Sequence, residues 1–211
     1  MPYLKHIVAG PFGTNCFLIG ADGSGEAVLI DAPPDCRSEV MRILAADGRT
    51  LTALLITHPH FDHTLDAGAF AADGVPLYAH VDAEEGIRLP DTLGIVPSPP
   101  KGLPEGATIR LLAGGDGTEA AGLPLRCLDV PGHSHGSLAF HAPSMGACFV
   151  GDVIFRGSIG RTDLPGGDFD RLAESIQNAL YVLDDETVLY PGHGPDTTVG
   201  HEKRSNPYVR G

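Results

Sequence analysis

The sequence predicts an α/β protein with two β-sheets and helices on their outer sides. Short apolar, β-branched runs bounded by Gly, Pro and Asp recur along the chain, and segments of helical spacing separate them in two successive blocks. Histidines and aspartates fall just after several of those runs, which points to a site assembled at strand ends.

In the first block, residues 3–9, 15–19 and 27–31 read as successive strands, with turns at Gly10-Pro11 and at residues 21–25. Residues 38–46 carry Val40, Ile43 and Leu44 on one stripe, as a helix packed by one face requires. Residues 53–57 form a mostly apolar run, expected of a strand covered on both sides. A helix over 64–72 and a strand over 77–79 follow. Residues 90–123 are rich in Pro, Gly and Thr, with loop signals at 97–100 and 114–117. A surface excursion carrying one strand, at 108–112, is preferred to a domain linker, because the chemistry on its two sides belongs together. Strands resume at 125–130, 137–141 and 147–150. A helix fits 169–183, with Leu172, Ile176, Leu180 and Leu183 on one stripe, and 187–190 makes a last strand. Residues 1–211 are expected to form one domain.

Composition narrows the function. The 28 Gly and 18 Pro imply many turns between short elements rather than disorder, since apolar runs recur between them. The net charge of −13 repels a phosphate backbone, and the densest basic pair is Lys203-Arg204, so a nucleic acid partner is not expected. A small anion is still admissible, because one arginine can receive it. Cys16, Cys36, Cys127 and Cys148 are scattered without a CxxC pair and read as buried reduced thiols. The N-terminus lacks a signal-peptide pattern, and no apolar run approaches the roughly 20 residues that span a bilayer. A cytoplasmic location without membrane attachment is expected.

The chemistry is concentrated in Thr57-His-Pro-His-Phe-Asp-His63, which follows a strand and precedes a helix. Alternate residues at a strand end point the same way, so His58 and His60 can converge on one point. Asp62 and His63, just past the turn, can face a second point close by. Imidazole nitrogens and carboxylate oxygens suit Zn²⁺ and several other divalent ions. The same device recurs in Asp129-Val-Pro-Gly-His133, Val150-Gly-Asp152 and Tyr190-Pro-Gly-His-Gly194. Four repetitions of a ligand at a strand's end make a metal centre the expected reading over a solvated polar loop. His6, His80 and His141 are expected to be packing or surface residues, His135 a candidate partner of His133, and His201 with Glu202 part of a solvated final helix.

The array HxHxDH followed by His, Asp and His at these separations resembles the metallo-β-lactamase superfamily over nearly the whole chain. The resemblance implies a four-layer αββα sandwich of two mixed β-sheets with helices on the outer faces. It further implies that His58, His60 and His133 hold one metal, that Asp62, His63 and His193 hold the other, and that Asp152 bridges them. The stretch from Gly151 through Gly160-Arg161-Thr-Asp163 to Gly167, and the tail Thr197 to Pro207, resemble the short bacterial glyoxalase II-like branch, whose full-length members cleave S-D-lactoylglutathione. Arg161 matches the position of a basic residue that contacts glutathione there; an ion pair with Asp163 is its alternative role. The chain ends at Gly211, so the family's C-terminal helical, glutathione-binding domain is not expected.

The implied enzyme is a dinuclear thioester hydrolase acting on a small-molecule thioester, a glutathione conjugate among the candidates. Its cofactors would be two divalent metal ions, zinc before iron or manganese. A hydroxide bridging the metals would attack the carbonyl, Asp62 orienting it or moving its proton and Asp152 holding the metals together. The rival on the same fold is a mononuclear Fe(II) glutathione persulfide dioxygenase using His58, His133 and Asp152, which shares a Gly-Arg-Thr-Asp stretch. A non-catalytic binding module would be expected to have lost a ligand, whereas all seven positions are filled.

Overall fold

The structure is a computed structural model describing residues 2–90 and 102–211. The loop signal at 97–100 lies outside the described residues. Two mixed six-stranded sheets face each other. The first runs β1 (Tyr3–Ala9), β2 (Thr14–Gly20), β3 (Glu26–Ile30), β4 (Thr50–Leu55), β5 (Leu77–His80) and β6 (Ile109–Leu112) in sequential order. Its first three strands are antiparallel and the remaining pairings parallel. The second comprises β7 (Gly117–Ala120), β8 (Leu123–Asp129), β9 (Leu138–Ala142), β10 (Ala147–Gly151), β13 (Val188–Pro191) and β14 (Thr197–Thr198), in the order 14-13-10-9-8-7. A two-stranded hairpin, β11 (Ile154–Phe155) and β12 (Ser158–Ile159), lies between β10 and β13 in the chain.

The apolar alternation of each sheet is spent on two contacts. Inner faces meet through Phe17, Ile30 and Leu55 from one sheet and Leu125, Phe140 and Phe149 from the other. The outer face of the first sheet, including Leu18, Leu29 and Leu54, is covered by α1 (Arg37–Asp47) through Val40 and Leu44 and by α3 (Ala67–Ala72) through Phe70. The outer face of the second, including Cys148, Val150 and Leu189, is covered by α5 (Phe169–Ser175) and the π-helical turn Ile176–Leu180 that continues it. The four-layer αββα sandwich is therefore observed. Ile56, at the end of the β4 run, is fully buried as that run predicts. All four cysteines are buried and unpaired. Among the described residues no helix is long and apolar enough to cross a membrane.

Several elements differ from expectation, each for a local reason. The helix expected over 64–72 is two short helices, α2 (Phe61–Thr64) and α3. The His63 carbonyl accepts from Ala32 N at 2.8 Å, and Asp66 N donates to Ala32 O, so the β3–α1 loop takes up hydrogen bonds a continuous helix would have used. α2 begins earlier than predicted and takes in Asp62 and His63. In the 169–183 segment Leu172, Ile176 and Leu180 are buried as their spacing predicts, yet Tyr181 N bonds Ile176 O, a π-type turn. Strand β7 and helix α4 (Glu84–Arg88) lie where composition reads as loop or gives no signal.

The final helix, α6 (Val199–Ser205), exposes His201 as expected but not Glu202. Glu202 is completely buried, accepting from Thr197 Oγ1 (2.6 Å), Asn206 Nδ2 (2.8 Å) and Gly157 N (3.1 Å). Asn206 Nδ2 also donates to Ser158 O at 3.0 Å. The polar tail is thus a clamp on the β11–β12 hairpin.

Candidate metal centre

The site lies where the two sheets meet, at the C-terminal ends of strands. His58 follows β4, His60 caps α2, and Asp62 and His63 sit on that one-turn helix. His133 follows β8, Asp152 follows β10, and His193 follows β13. The two Pro-Gly turns work because glycine permits close approach. A Cβ on Gly132, whose φ is 126°, would strike the backbone of Leu172 in α5, and one on Gly192 would overlap Asp152 Oδ1.

All seven sequence-predicted ligand residues are brought together. Their potential ligand atoms form three groups within 4.8 Å: His58–His60–His133, Asp62–His63–His193, and His58–His63–Asp152, which joins the other two. His133 Nε2 is 2.9 Å from His60 Nδ1, and His63 Nε2 is 3.4 Å from His193 Nε2. Asp152 stands between the halves, with Oδ1 3.3 Å from His63 Nε2 and Oδ2 3.4 Å from His193 Nε2 and 3.8 Å from His133 Nε2.

Asp31 explains why these rings are aimed as they are. It was expected only as the end of a strand, but it is buried and in the left-handed region at φ 61°. One oxygen accepts from Thr57 N at 2.8 Å. The other accepts from Thr57 Oγ1 and from His63 Nδ1, both at 2.8 Å. Thr57 Oγ1, having given its proton to Asp31, can only accept from His58 Nδ1 at 3.0 Å. One carboxylate thereby sets the tautomer of two imidazoles and leaves Nε2 of each free to bind a cation. His133 Nδ1 donates to the Arg161 carbonyl at 2.8 Å, with the same result; His135 is not its partner.

Thr14 Oγ1 donates to Asp62 Oδ2 at 3.0 Å. Asn15 Nδ2 donates to Pro191 O and Gly194 O, gripping the His193 turn from the opposite sheet, and His6 Nε2 bonds Asn15 Oδ1 at 2.8 Å. His6 is exposed and stacked on Phe17 at 5.0 Å, in keeping with the packing or surface role expected of it, and it also holds Asn15 in place. The signal for Asp31 was present, since it follows an apolar run as Asp152 does. Thr14 and Asn15 gave none.

Electrostatics divides the cluster into halves. Burial, with the neighbouring His63 and His60, pushes His58 well below its usual value. Burial and His133 push His60 down to about 4, and burial also lowers His133 against the opposing pull of Asp152. Burial opposes protonation of the other two imidazoles but is outweighed there. Asp152 and Asp31 raise His63 well above normal, and the hydrogen bonds His193 donates to Asp152 and Asp62 raise it to about 9. Asp152 is likewise held well below the carboxylate range: burial works against this, but His63 and His193 prevail. Among the described residues two buried side-chain atoms have no hydrogen-bond partner, His58 Nε2 and Asp152 Oδ1, the latter meeting only the His63 ring in an ion pair at 3.3 Å. Neutral nitrogens with free lone pairs, a deprotonated carboxylate and orphaned acceptors are a donor set that fits divalent cations.

A family model described as the metallo-beta-lactamase superfamily matches residues 9–193. The chain belongs to the metallo-β-lactamase superfamily. Within it, the chain is 34% identical over 210 residues to hydroxyacylglutathione hydrolase GloC of Haemophilus influenzae, covering 94% of this chain and 93% of the relative. Two solved structures superpose closely. BLEG-1, a B3 metallo-beta-lactamase, has a TM-score of 0.88 at 33% identity, with 99% of this chain and 100% of that one covered. TTHA1623 in a di-iron-bound form has 0.84 at 35% identity, with 97% and 100% covered. Superfamily membership and the His/Asp cluster together indicate an enzyme that uses divalent metal ions.

Arg161 lines the cleft in front of the cluster, but Asp163 holds its guanidinium through two hydrogen bonds of 2.8 Å. The ion pair foreseen as its alternative role is present. Its backbone carbonyl, rather than its side chain, touches the ligand set.

Proposed function

We propose that the chain is a dinuclear metallo-hydrolase that cleaves a thioester such as S-D-lactoylglutathione. The observation that carries this is Asp152, an ionised buried carboxylate with an orphaned oxygen, standing between two groups of potential ligands. His58, His60 and His133 would hold one cation, Asp62, His63 and His193 the other, and Asp152 both. Zinc is the expected metal and iron or manganese the alternatives; the di-iron form of TTHA1623 supports two-metal occupancy. When bound, the pair supplies acidification of a water and polarisation of the carbonyl.

The chain's own residues do the rest. Asp62 is kept ionised against its burial by His193 and His63 and is fixed by the Thr14 hydroxyl, so it can accept a hydrogen bond from the attacking water and orient it. A thiolate leaves without a general acid because it is only weakly basic, its conjugate thiol having a pKa of about 8.5. No Ser or Cys nucleophile is needed, and all four cysteines are buried. GloC supports the acyl-glutathione choice by relatedness.

The deciding experiment measures metal content and S-D-lactoylglutathione hydrolysis on one purified sample. Two metals per chain with turnover are expected, and Asp152→Ala should bind fewer than two and lose activity. Full loading of that variant with normal turnover sinks the mechanism. One iron with oxygen consumption on glutathione persulfide, and no thioester cleavage, would favour the dioxygenase instead.

A further inference from the structure

The cleft over the cluster has a volume of about 630 Å³, within the range of small-molecule sites. Its walls are apolar: Phe12, Phe61, Leu89, Leu164 and Pro165. Phe12 packs edge-on against Phe61 at 5.5 Å and is otherwise 45% exposed, while Leu89 is 76% exposed. Large apolar side chains left in water along the lining of a cleft mark a surface that gains by being covered.

Charge selects what can cover it. Among the described lining residues Arg161 is the only lysine or arginine, and Asp163 already neutralises it. Asp82 lines the same cleft, and the whole chain carries −13. Among the described lining residues the carboxylates of a tripeptide meet no lysine or arginine free of an ion pair, whereas an alkyl or aryl group meets a wall that matches it.

We infer that the preferred substrate is a thioester bearing an uncharged alkyl or aryl arm, lodged against Phe12, Phe61, Leu89 and Leu164, and that glutathione itself is not selected. This rests on the thioesterase reading of the site, yet its binding test does not depend on turnover. Uncleavable S-methyl, S-butyl and S-hexyl thioethers of N-acetylcysteamine are titrated into metal-loaded protein by calorimetry, beside S-methyl- and S-hexylglutathione. Each added methylene should tighten binding about two- to four-fold, with no gain from glutathione over N-acetylcysteamine at equal alkyl length. Phe12→Ala and Leu89→Ala, each verified as folded by its melting curve, should flatten that dependence. A flat alkyl series, or a clear preference for the glutathione carrier, overturns the inference. Parallel assays on hexanoyl-N-acetylcysteamine and S-D-lactoylglutathione separate the two ideas. Cleavage of neither, with the alkyl dependence intact, removes the hydrolase reading but leaves the apolar site; faster cleavage of lactoylglutathione with a flat alkyl series does the reverse.

Discussion

Asp31 touches none of the cleft, yet it orients His63 directly and His58 through Thr57. Asp31→Asn tests this cleanly, because asparagine tolerates the left-handed backbone that Asp31 occupies at φ 61°. Its amide cannot accept from all three donors, so metal affinity should fall about 10- to 100-fold, read by competition with a chromophoric chelator. Affinity equal to the parent's would deny Asp31 this role. Protonation supplies a second prediction at this scale. His193 binds its proton more tightly when folded, at about 9, than at its ordinary 6.5. In metal-free protein that pairing favours the fold fully below about pH 6.5 and is lost as pH rises through about 9. Metal binding runs the other way, since the ligand must be deprotonated. The His58–His60–His133 group, already neutral, should load with little pH dependence. The Asp62–His63–His193 group should bind more tightly from pH 6.5 towards 9 and release protons. Zinc calorimetry in buffers of different ionisation enthalpy measures that release; two equivalent, pH-independent steps would refute the division.

At the scale of elements, the β11–β12 hairpin leads directly into Gly160 and Arg161, whose carbonyl holds His133. Glu202 and Asn206 of the C-terminal segment clamp that hairpin through Gly157 and Ser158. Glu202→Ala would remove the acceptor shared by the buried Thr197 and Asn206 side chains and by Gly157 N, and should cost about 2–4 kcal/mol of stability, measured by denaturant unfolding. Glu202→Gln keeps an acceptor and should lose less. Equal losses for both would mean the side chain acts only by filling space. The same turn chemistry explains why Pro131-Gly132 and Pro191-Gly192 precede their histidines: each glycine lets the backbone press against α5 or Asp152 where a side chain has no room.

At the scale of the molecule, residues from both sheets meet in one cluster, so a bound metal ties the two halves of the sandwich together. Zinc at about a thousand times its dissociation constant adds about 4 kcal/mol, which for a chain of this length raises the melting temperature by about 10 °C. Calorimetric melting with and without chelator reads this, and an unchanged melting temperature would place the cluster outside the folding equilibrium.

Read alone, the sequence determined two sheets with helices outside and all seven members of the cluster, and its resemblance to the superfamily implied the four-layer sandwich. Those features are local: apolar runs of fixed period form strands, and a His or Asp immediately after a strand is set at its end wherever that strand packs. The two short helices in place of one, the buried Glu202 and the roles of Thr14, Asn15 and Asp31 were decided by tertiary structure. Each depends on a partner distant in the chain, as Asn15 does on the Gly194 carbonyl and Asp31 on His63. A polar side chain has the same composition whether it faces water or a buried donor, and only the fold determines which of the two it meets.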